Sequence, residues 1–344
     1  MSKLETKLNI TNFDFDLPEQ LIARYPLENR SDSRLLVYEN EKIQHKQFTD
    51  LIDFLKHGDI LVRNNTKVLP ARLYVANETE VRIEILLIKK QHDQVWDIMA
   101  KPGKKLKDGL SYRLENGIEL KVIKDQTKFQ VDFGTEENFD KAITDCGAMP
   151  IPPYMKRAAE ELDKERYQTL FSKEHEAGSS VAAPTAGLHF TPELDQTLRE
   201  KGIEILELTL HVGIGTFAPI KTENVLEHKM HSEIYELSEE NWQKIQAAKK
   251  QGRRIIGVGS TSTRVLESVA ATGELSGETD IFIYPGYKFQ VVDGMVTNFH
   301  LPKSSLMVMI SALLGEATVQ KIYSEAIKEK YRFYSYGDAC LFLA

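Results

Sequence analysis

From about residue 72 to residue 150, short strand-like runs follow one another with no helical stretch of convincing length between them. They read VRIEILLI (81–88), QVWDIMA (94–100), IELKVI (118–123) and KFQVDF (128–133), and are joined by turns rich in Lys, Gly and Asn. Branched and aromatic residues in runs this short suit pleated strands. Several such strands at close spacing bury their apolar faces only by closing on themselves, as a small β-barrel or sandwich. On either side the pattern changes to alternating helix and strand, which implies a largely parallel sheet with helices on its faces. At 344 residues the chain is long enough for two ordinary domains. The expected fold class is therefore α/β: a mainly parallel-sheet α/β domain built discontinuously from residues 1–71 and 151–344, with an inserted all-β barrel domain at 72–150.

The flanking segments carry the signals that support this reading. Residues 34–38 (RLLVY) and 59–63 (DILVR) read as strands. Between them Thr49 is the expected cap of a helix with Leu51, Phe54 and Leu55 on its apolar face, stopped by Gly58. Thr191-Pro192-Glu193 combines an N-cap, a first-turn proline and an acid suited to the helix dipole; the helix it opens ends at Gly202. A strand over 203–212 follows. Ser238 then caps a helix through Lys250, and the strand RIIGV (254–258) runs into Gly259, Ser260 and Thr261 and a further helix.

Composition narrows the function classes. Hydrophobic residues are 42% and charged residues 28% of the chain, the balance of a globular protein. Cys146 and Cys340 stand far apart, so neither a disulfide framework nor a cysteine-rich zinc site is expected, and a reducing cytoplasmic setting is the simple reading. The N-terminal MSKLETKLNITNFDF lacks the apolar centre of a secretory signal, and the apolar run 306–314 is too short to span a bilayer. A net charge of -7 argues against a general nucleic-acid binder, although the stretch KPGKKLK (101–107) holds four lysines and no acid.

Five segments crowd histidine, glycine and hydroxyl residues where strands end. AAPTAGLHF (182–190) brings Thr185, Gly187 and His189 to a helix opening, where backbone N–H groups favour an anion. In LHVGIGTF (210–217), strand alternation sets Leu206, Leu208, Leu210 and Val212 on one face and His211 with Glu207 and Thr209 on the other. Gly213 and Gly215 then allow a ligand close to the backbone or a tight bend, with Thr216 following as a further lining candidate. EHKMHSE (227–233) holds His228 and His231 three apart. That spacing lacks the H-E-x-x-H pattern, so no metal site is expected. GVGSTSTR (257–264) joins a strand to a helix and offers Ser260, Thr261 and Arg264. Ser262 replaces the third glycine of a dinucleotide loop, which disfavours a conventional methyltransferase. In NFHLPKS (298–304), Asn298 and His300 project from one side of an extended chain, with Lys303 beyond Pro302.

Together the stretches AAPTAGLHFT, TLHVGIGTF, EHKMHSE, VGSTSTRVLES, TDIFIYPGYKF, NFHLPKSSL and YRFYSYGDA resemble the queuosine ribosyltransferase-isomerases. PLENRSDSRLLV, GDILVRNNTKVLPARL and MPIPPYMKR resemble them as well, so the likeness runs in order from about residue 13 to the C-terminus. Asn65 stands where the family usually has Asp, Ala218 where a longer polar residue is common, and HEAGSS (175–180) where Pro-Gly is usual. The resemblance implies an α/β domain carrying a β-barrel. It also implies transfer and isomerisation of the ribosyl part of S-adenosylmethionine onto 7-aminomethyl-7-deazaguanine at the tRNA wobble position. The product would be epoxyqueuosine, with adenine and methionine released. S-adenosylmethionine is consumed, so no cofactor is implied, and a cytoplasmic monomer is expected. Family position and residue chemistry make His211 or His231 the expected base, with His189 near adenine. Lys303 or Arg264 would hold the methionine carboxylate. Thr185, Gly187, Gly213, Gly215, Thr216, His228, Ser260, Thr261, Asn298 and His300 would line the substrate site. The competing readings are a metal-dependent hydrolase built on His211, His228 and His231, and a non-catalytic RNA-binding protein using the barrel and residues 101–107.

Overall fold

The structure is a computed structural model and describes residues 8–76, 81–125, 128–174, 180–213 and 219–343. Strands β1 (Arg34–Glu39) and β2 (Lys42–Gln47) form a hairpin whose two-residue turn, Asn40 and Glu41, takes positive φ angles of 50° and 61°. That turn matches the natural twist of paired strands. The one-turn helix α1 (Leu51–Phe54) follows. Its entry is organised by Gln47 and Asp50, with the Gln47 N–H donating to Asp50 Oδ2 at 3.0 Å, rather than by Thr49. The chain already turns at Phe48, whose burial starts the helical turn earlier than a Thr49 cap would allow. Strand β3 (Ile60–Asn64) is buried at every residue.

The six strands that follow close into a barrel in the order β4-β5-β6-β9-β8-β7. They are β4 (Arg72–Ala76), β5 (Arg82–His92), β6 (Val95–Lys101), β7 (Ser111–Leu114), β8 (Glu119–Asp125) and β9 (Lys128–Asp132). Inward Leu73, Val75, Ile83, Ile85, Leu87, Leu120, Val122 and Val131 alternate with outward residues, the period of a half-buried strand. Three features escape pattern reading. Strand β4 has five residues and lies before the first run read from the sequence. Strand β7 is only four residues long. Helix α2 (Glu136–Lys141) closes one side of the barrel, its Thr135 cap accepting from the Asn138 N–H at 3.2 Å. Phe139 stacks on Trp96 at 5.3 Å between ring centroids, which fastens the helix to the barrel wall.

Beyond α3 (Glu161–Arg166) come α4 (Pro192–Glu200), β10 (Glu204–Leu210), β11 (Glu233–Glu236), α5 (Glu239–Lys250), β12 (Ile255–Val258), α6 (Gly259–Thr272), β13 (Ser276–Thr279) and β14 (Gly294–Asn298). Helices α7 (Ser305–Leu314) and α8 (Glu316–Lys328) and strand β15 (Ala339–Leu343) complete the described chain. The caps expected at Thr191 and Ser238 are present, accepting from the Leu194 and Asn241 N–H groups.

A nine-stranded mixed sheet runs β13-β11-β10-β3-β12-β14-β15-β1-β2. Its centre, β10-β3-β12-β14, is parallel; antiparallel pairs flank it on both sides. Successive residues of β3 feed opposite layers. Leu61 packs with Ile256, Val296, Leu194 and Leu198, while Ile60 and Val62 pack with Leu206, Ile245, Val265 and Val269. A third layer joins α7 and α8 to Phe299, Phe333 and Phe342. The result is an α/β domain with an inserted β-barrel. Among the described residues no single helix is long and apolar enough to cross a membrane; the apolar run at 306–314 is the buried helix α7. Because the central strands are parallel, β3, β10, β12 and β14 all end on one edge, where an α/β sheet leaves its crevice.

Candidate active site

At that edge the chain leaves β12 through Gly259, whose φ of +87° is a left-handed conformation that a side chain would strain, and enters α6. Among the described residues no side chain caps α6, and Gly259, Ser260 and Thr261 of its first turn line the crevice. The hydroxyl Oγ1 of Thr261, a residue only 6% exposed, is also buried without a hydrogen-bond partner among the described residues. Facing them is the short turn Thr185–His189, drawn to the end of β14 by side-chain bonds. Thr185 Oγ1 donates to Asn298 Oδ1 at 2.9 Å, and this turns the amide so that Asn298 Nδ2 donates to His189 Nε2 at 3.0 Å. Nε2 is then an acceptor, so the His189 proton is on Nδ1 and is donated to Ser33 Oγ at 2.7 Å. Burial, with Arg332 and Arg30 adding repulsion, pulls the His189 pKa down to about 4. His300, bonded to Thr297 Oγ1 at 3.0 Å, is pulled down to about 3 by burial. Both imidazoles are neutral near pH 7. The crevice encloses about 620 Å³ and is lined by Thr185, Ser260, Thr261, Asn298, His300, Tyr154 and Tyr334. Asn298, Phe299 and His300 all line it and all are buried, so alternation along the chain does not by itself separate the two polar residues from Phe299.

A second hollow, also of about 620 Å³, lies where the barrel meets the sheet. His211, Gly213 and Glu233 line it from the sheet; Lys89, Lys90 and Trp96 line it from the barrel. His211 Nδ1 bonds Thr66 Oγ1 at 3.1 Å, and Thr66 Oγ1 bonds Ser180 Oγ at 3.0 Å. Ser180 Oγ in turn accepts from the Val212 N–H at 2.6 Å. This relay orients the ring of a half-buried histidine. Val212 lines both hollows, so they adjoin.

A family profile described as "Queuosine biosynthesis protein" matches residues 10–342. The chain belongs to this family. It is 46% identical over 346 residues to the S-adenosylmethionine:tRNA ribosyltransferase-isomerase of Halothermothrix orenii, covering 98% of this chain and 100% of that protein. It is 47% identical over 347 residues to the protein of the same name from Desulfitobacterium hafniense, with the same coverage. The crystal structure of S-adenosylmethionine tRNA ribosyltransferase from Thermotoga maritima is 33% identical with a TM-score of 0.56, covering 96% of this chain and 100% of that one. This queuosine biosynthesis protein is accordingly an enzyme, a transferase.

Other family segments are placed differently from one another. Arg264, 3% exposed, gives Nη1 to the buried Glu233 carboxylate and its other nitrogens to the Ile281 and Thr279 carbonyls at 3.4 and 3.3 Å. Its guanidinium is committed inside the protein, and Glu233 also accepts from the Gly213 N–H at 2.7 Å. Lys303 pairs with Asp14 at 2.7 Å, and both side chains are 42% exposed. It does not line the crevice, whereas its neighbours Leu301 and Ser304 do. His228 packs edge-on against Phe282 at 5.4 Å, and burial, then His231, lowers its pKa. His231 is exposed. Gly187 is packed against Phe171 and Thr169, which a Cβ would approach within 2.7 and 2.9 Å, so its glycine serves packing. Gly215, Thr216, Ala218 and residues 175–179 lie outside the described residues. Among the described residues no three His, Cys, Asp or Glu side chains are grouped as ligands to one ion.

Asn65 has a physical reason. Its amide Nδ2 donates to Glu207 Oε2 at 3.4 Å and its Oδ1 accepts from Thr209 Oγ1 at 2.9 Å. An Asp there would set two carboxylates together. The residues that sequence reading missed are aromatic: Tyr154 and Tyr334 lie 4.5 Å apart between ring centroids, and Tyr154 OH bonds Ser335 Oγ. Both fall in the family-like stretches MPIPPYMKR and YRFYSYGDA, which is the one signal that could have found them.

Proposed function

We propose that this enzyme transfers and isomerises the ribosyl part of S-adenosylmethionine onto 7-aminomethyl-7-deazaguanine at the tRNA wobble position, giving epoxyqueuosine and releasing adenine and methionine. The observation that carries the binding part is the crevice at the sheet edge, with the uncapped N-terminus of α6 and the unpartnered Thr261 hydroxyl on one wall. Uncapped N–H groups and a helix dipole suit a carboxylate, and the amino acid end of S-adenosylmethionine supplies one. The Tyr154 and Tyr334 rings suit the flat adenine.

The sulfonium makes the adjacent C5′ hydrogen acidic and methionine a good leaving group. A base removes that proton to give an ylide; ring rearrangement expels adenine, which takes up a proton as it leaves; the aminomethyl nitrogen loses a proton as it bonds the resulting electrophile, and the C–S bond breaks to release methionine. His211 is the base in this reading: it is half-buried, oriented by Thr66, and faces a hollow that adjoins the crevice. His189 and His300 are held neutral with pKa values far below 7, so they are poor proton donors there and weak bases. His189 instead holds Asn298 in place, and Arg264 holds Glu233 beside Gly213. The enzyme would act in the cytoplasm as a monomer with no bound cofactor.

Incubation with S-adenosylmethionine and tRNA bearing the aminomethyl-deazaguanine base should release adenine and shift the nucleoside to the mass of epoxyqueuosine. No adenine from folded protein would overturn the reading. His211→Ala should abolish turnover and leave S-adenosylmethionine binding in place; full turnover without His211 moves the base to His231.

A further inference from the structure

Three arginines near the crevice wall form no ion pair among the described residues. Arg30 lies in the short turn Arg30–Asp32, Arg166 ends α3, and Arg332 follows α8. Arg30 donates to the carbonyls of Leu188 at 3.3 Å and Glu165 at 2.9 Å. Arg166 donates to the carbonyls of Glu28 at 2.9 Å and Leu27 at 2.8 Å. Arg332 donates Nη2 to the Tyr25 carbonyl at 2.5 Å. Arg332 Nη1 and Arg166 Nε are buried with no hydrogen-bond partner among the described residues. Among the described residues none of the three forms an ion pair. By contrast Arg63, Arg157, Arg254 and Arg264, fixed as firmly, each hold a carboxylate.

The carbonyl bonds set the guanidiniums in place without neutralising them. Burial and then Arg166 lower the Arg30 pKa, partly offset by Glu165, while burial, partly offset by Asp338, lowers that of Arg332. The nearby acids do not cancel the charge. The Asp338 carboxylate is taken by Arg34 and by the N–H groups of Arg34 and Arg332, and Asp32 holds Asn29 at 2.8 Å. Glu165 and Glu28 offer the arginines their carbonyls, not their carboxylates. Arg30 and Arg166 line a pocket of about 290 Å³ whose inner wall is His189 and Ser335, and Ser335 also lines the crevice. Fixed, uncompensated guanidiniums with forked donors are suited to a phosphate.

We propose that Arg30 and Arg166 form a binding site for a phosphodiester of the RNA substrate, with the charge of Arg332 near His189 adding to the field, one wall away from the crevice that takes the reacting base. This rests on the reading of the enzyme as tRNA-modifying. It also explains how a chain of net charge -7 engages RNA: through a few pre-set arginines beside the crevice, not a broad basic face.

The test is tRNA binding by the whole enzyme across a range of salt. Arg30→Gln and Arg166→Gln should each weaken tRNA binding about tenfold and reduce the salt slope by roughly 0.7–0.9, with S-adenosylmethionine affinity unchanged. Arg166→Lys should retain the slope. Asn29→Asp, an exposed change on the same pocket that removes no arginine, should weaken tRNA binding severalfold even if a glutamine variant fails to fold. Unchanged affinity and slope in folded variants, alongside wild-type protein that binds tRNA and releases adenine, overturns the phosphate site alone. Wild-type protein that neither binds tRNA nor releases adenine overturns the functional reading first. Saturation by inorganic phosphate with no effect on tRNA binding would make the site one for free phosphate, and the proposal would fall.

Discussion

Replacing Arg264 by Met distinguishes a structural arginine from one that grips substrate. Its side chain and that of Glu233 are each only 4% exposed, and they form an ion pair with each other. Removing the cation leaves the Glu233 carboxylate in a buried setting and also frees the Ile281 and Thr279 carbonyls. Breaking one side of a buried pair costs about 3–5 kcal/mol, because the remaining charge has lost its compensation. Arg264→Met combined with Glu233→Gln removes both charges, and the amide oxygen still accepts from the Gly213 N–H. The double variant should therefore regain most of the loss. Urea unfolding of wild type, both single variants and the double variant at pH 7 measures this; Trp242 on α5 reports the sheet and Trp96 the barrel. A single Arg264→Met variant as stable as wild type that has lost S-adenosylmethionine affinity would refute the reasoning and return Arg264 to the substrate carboxylate.

Other outcomes follow from the same geometry. His189 and His300 have folded pKa values of about 4 and about 3, below the ordinary 6.5, so the unfolded chain takes up their protons first. Stability should be unaffected by them above about pH 6.5 and fall as pH drops toward 4 and 3, by roughly 3 and 5 kcal/mol at full expression. His300→Gln should flatten that acid slope by about one proton; an unchanged slope from pH 6.5 to 4 contradicts the burial argument. Thr261→Val removes a hydroxyl with no partner, so stability should stay within about 0.5 kcal/mol while the KM for S-adenosylmethionine rises severalfold; an unchanged KM removes Thr261 from the site. Glu267 accepts from Tyr287 OH at 3.0 Å and from the N–H groups of Gln290, Val291 and Val292 at 2.8, 3.0 and 2.9 Å. Glu267→Gln turns an amide NH₂ toward these donors and should cost about 2–4 kcal/mol in urea unfolding, a loss that a merely solvated acid would not show.

What could be read along the chain was whatever depends on near neighbours. Strand alternation placed Leu206, Leu208, Leu210 and Val212 in one layer and His211 on the other face, where Thr66 meets it. Thr191 and Ser238 cap the helices they precede, because a cap bonds an N–H three residues on. Repeated short strands announced the barrel, although four-residue β7 and the helix α2 packed on Trp96 carry too little periodicity to be seen. The family-like stretches identified the segments of the site but not the duty of each residue within them. His189, His211 and His300 are the same residue type, each near a strand end or turn, and their sequence settings do not rank them. Tertiary structure does. His189 is neutral because burial and the charges of the sequence-distant Arg332 and Arg30 disfavour its imidazolium, while Asn298, 109 residues away, and Ser33, 156 residues away, set its tautomer. Arg264 is committed because Glu233, 31 residues away, is buried against it. The protonation state and availability of a side chain depend on which distant groups share its desolvated space, and that is settled only when the sheet assembles.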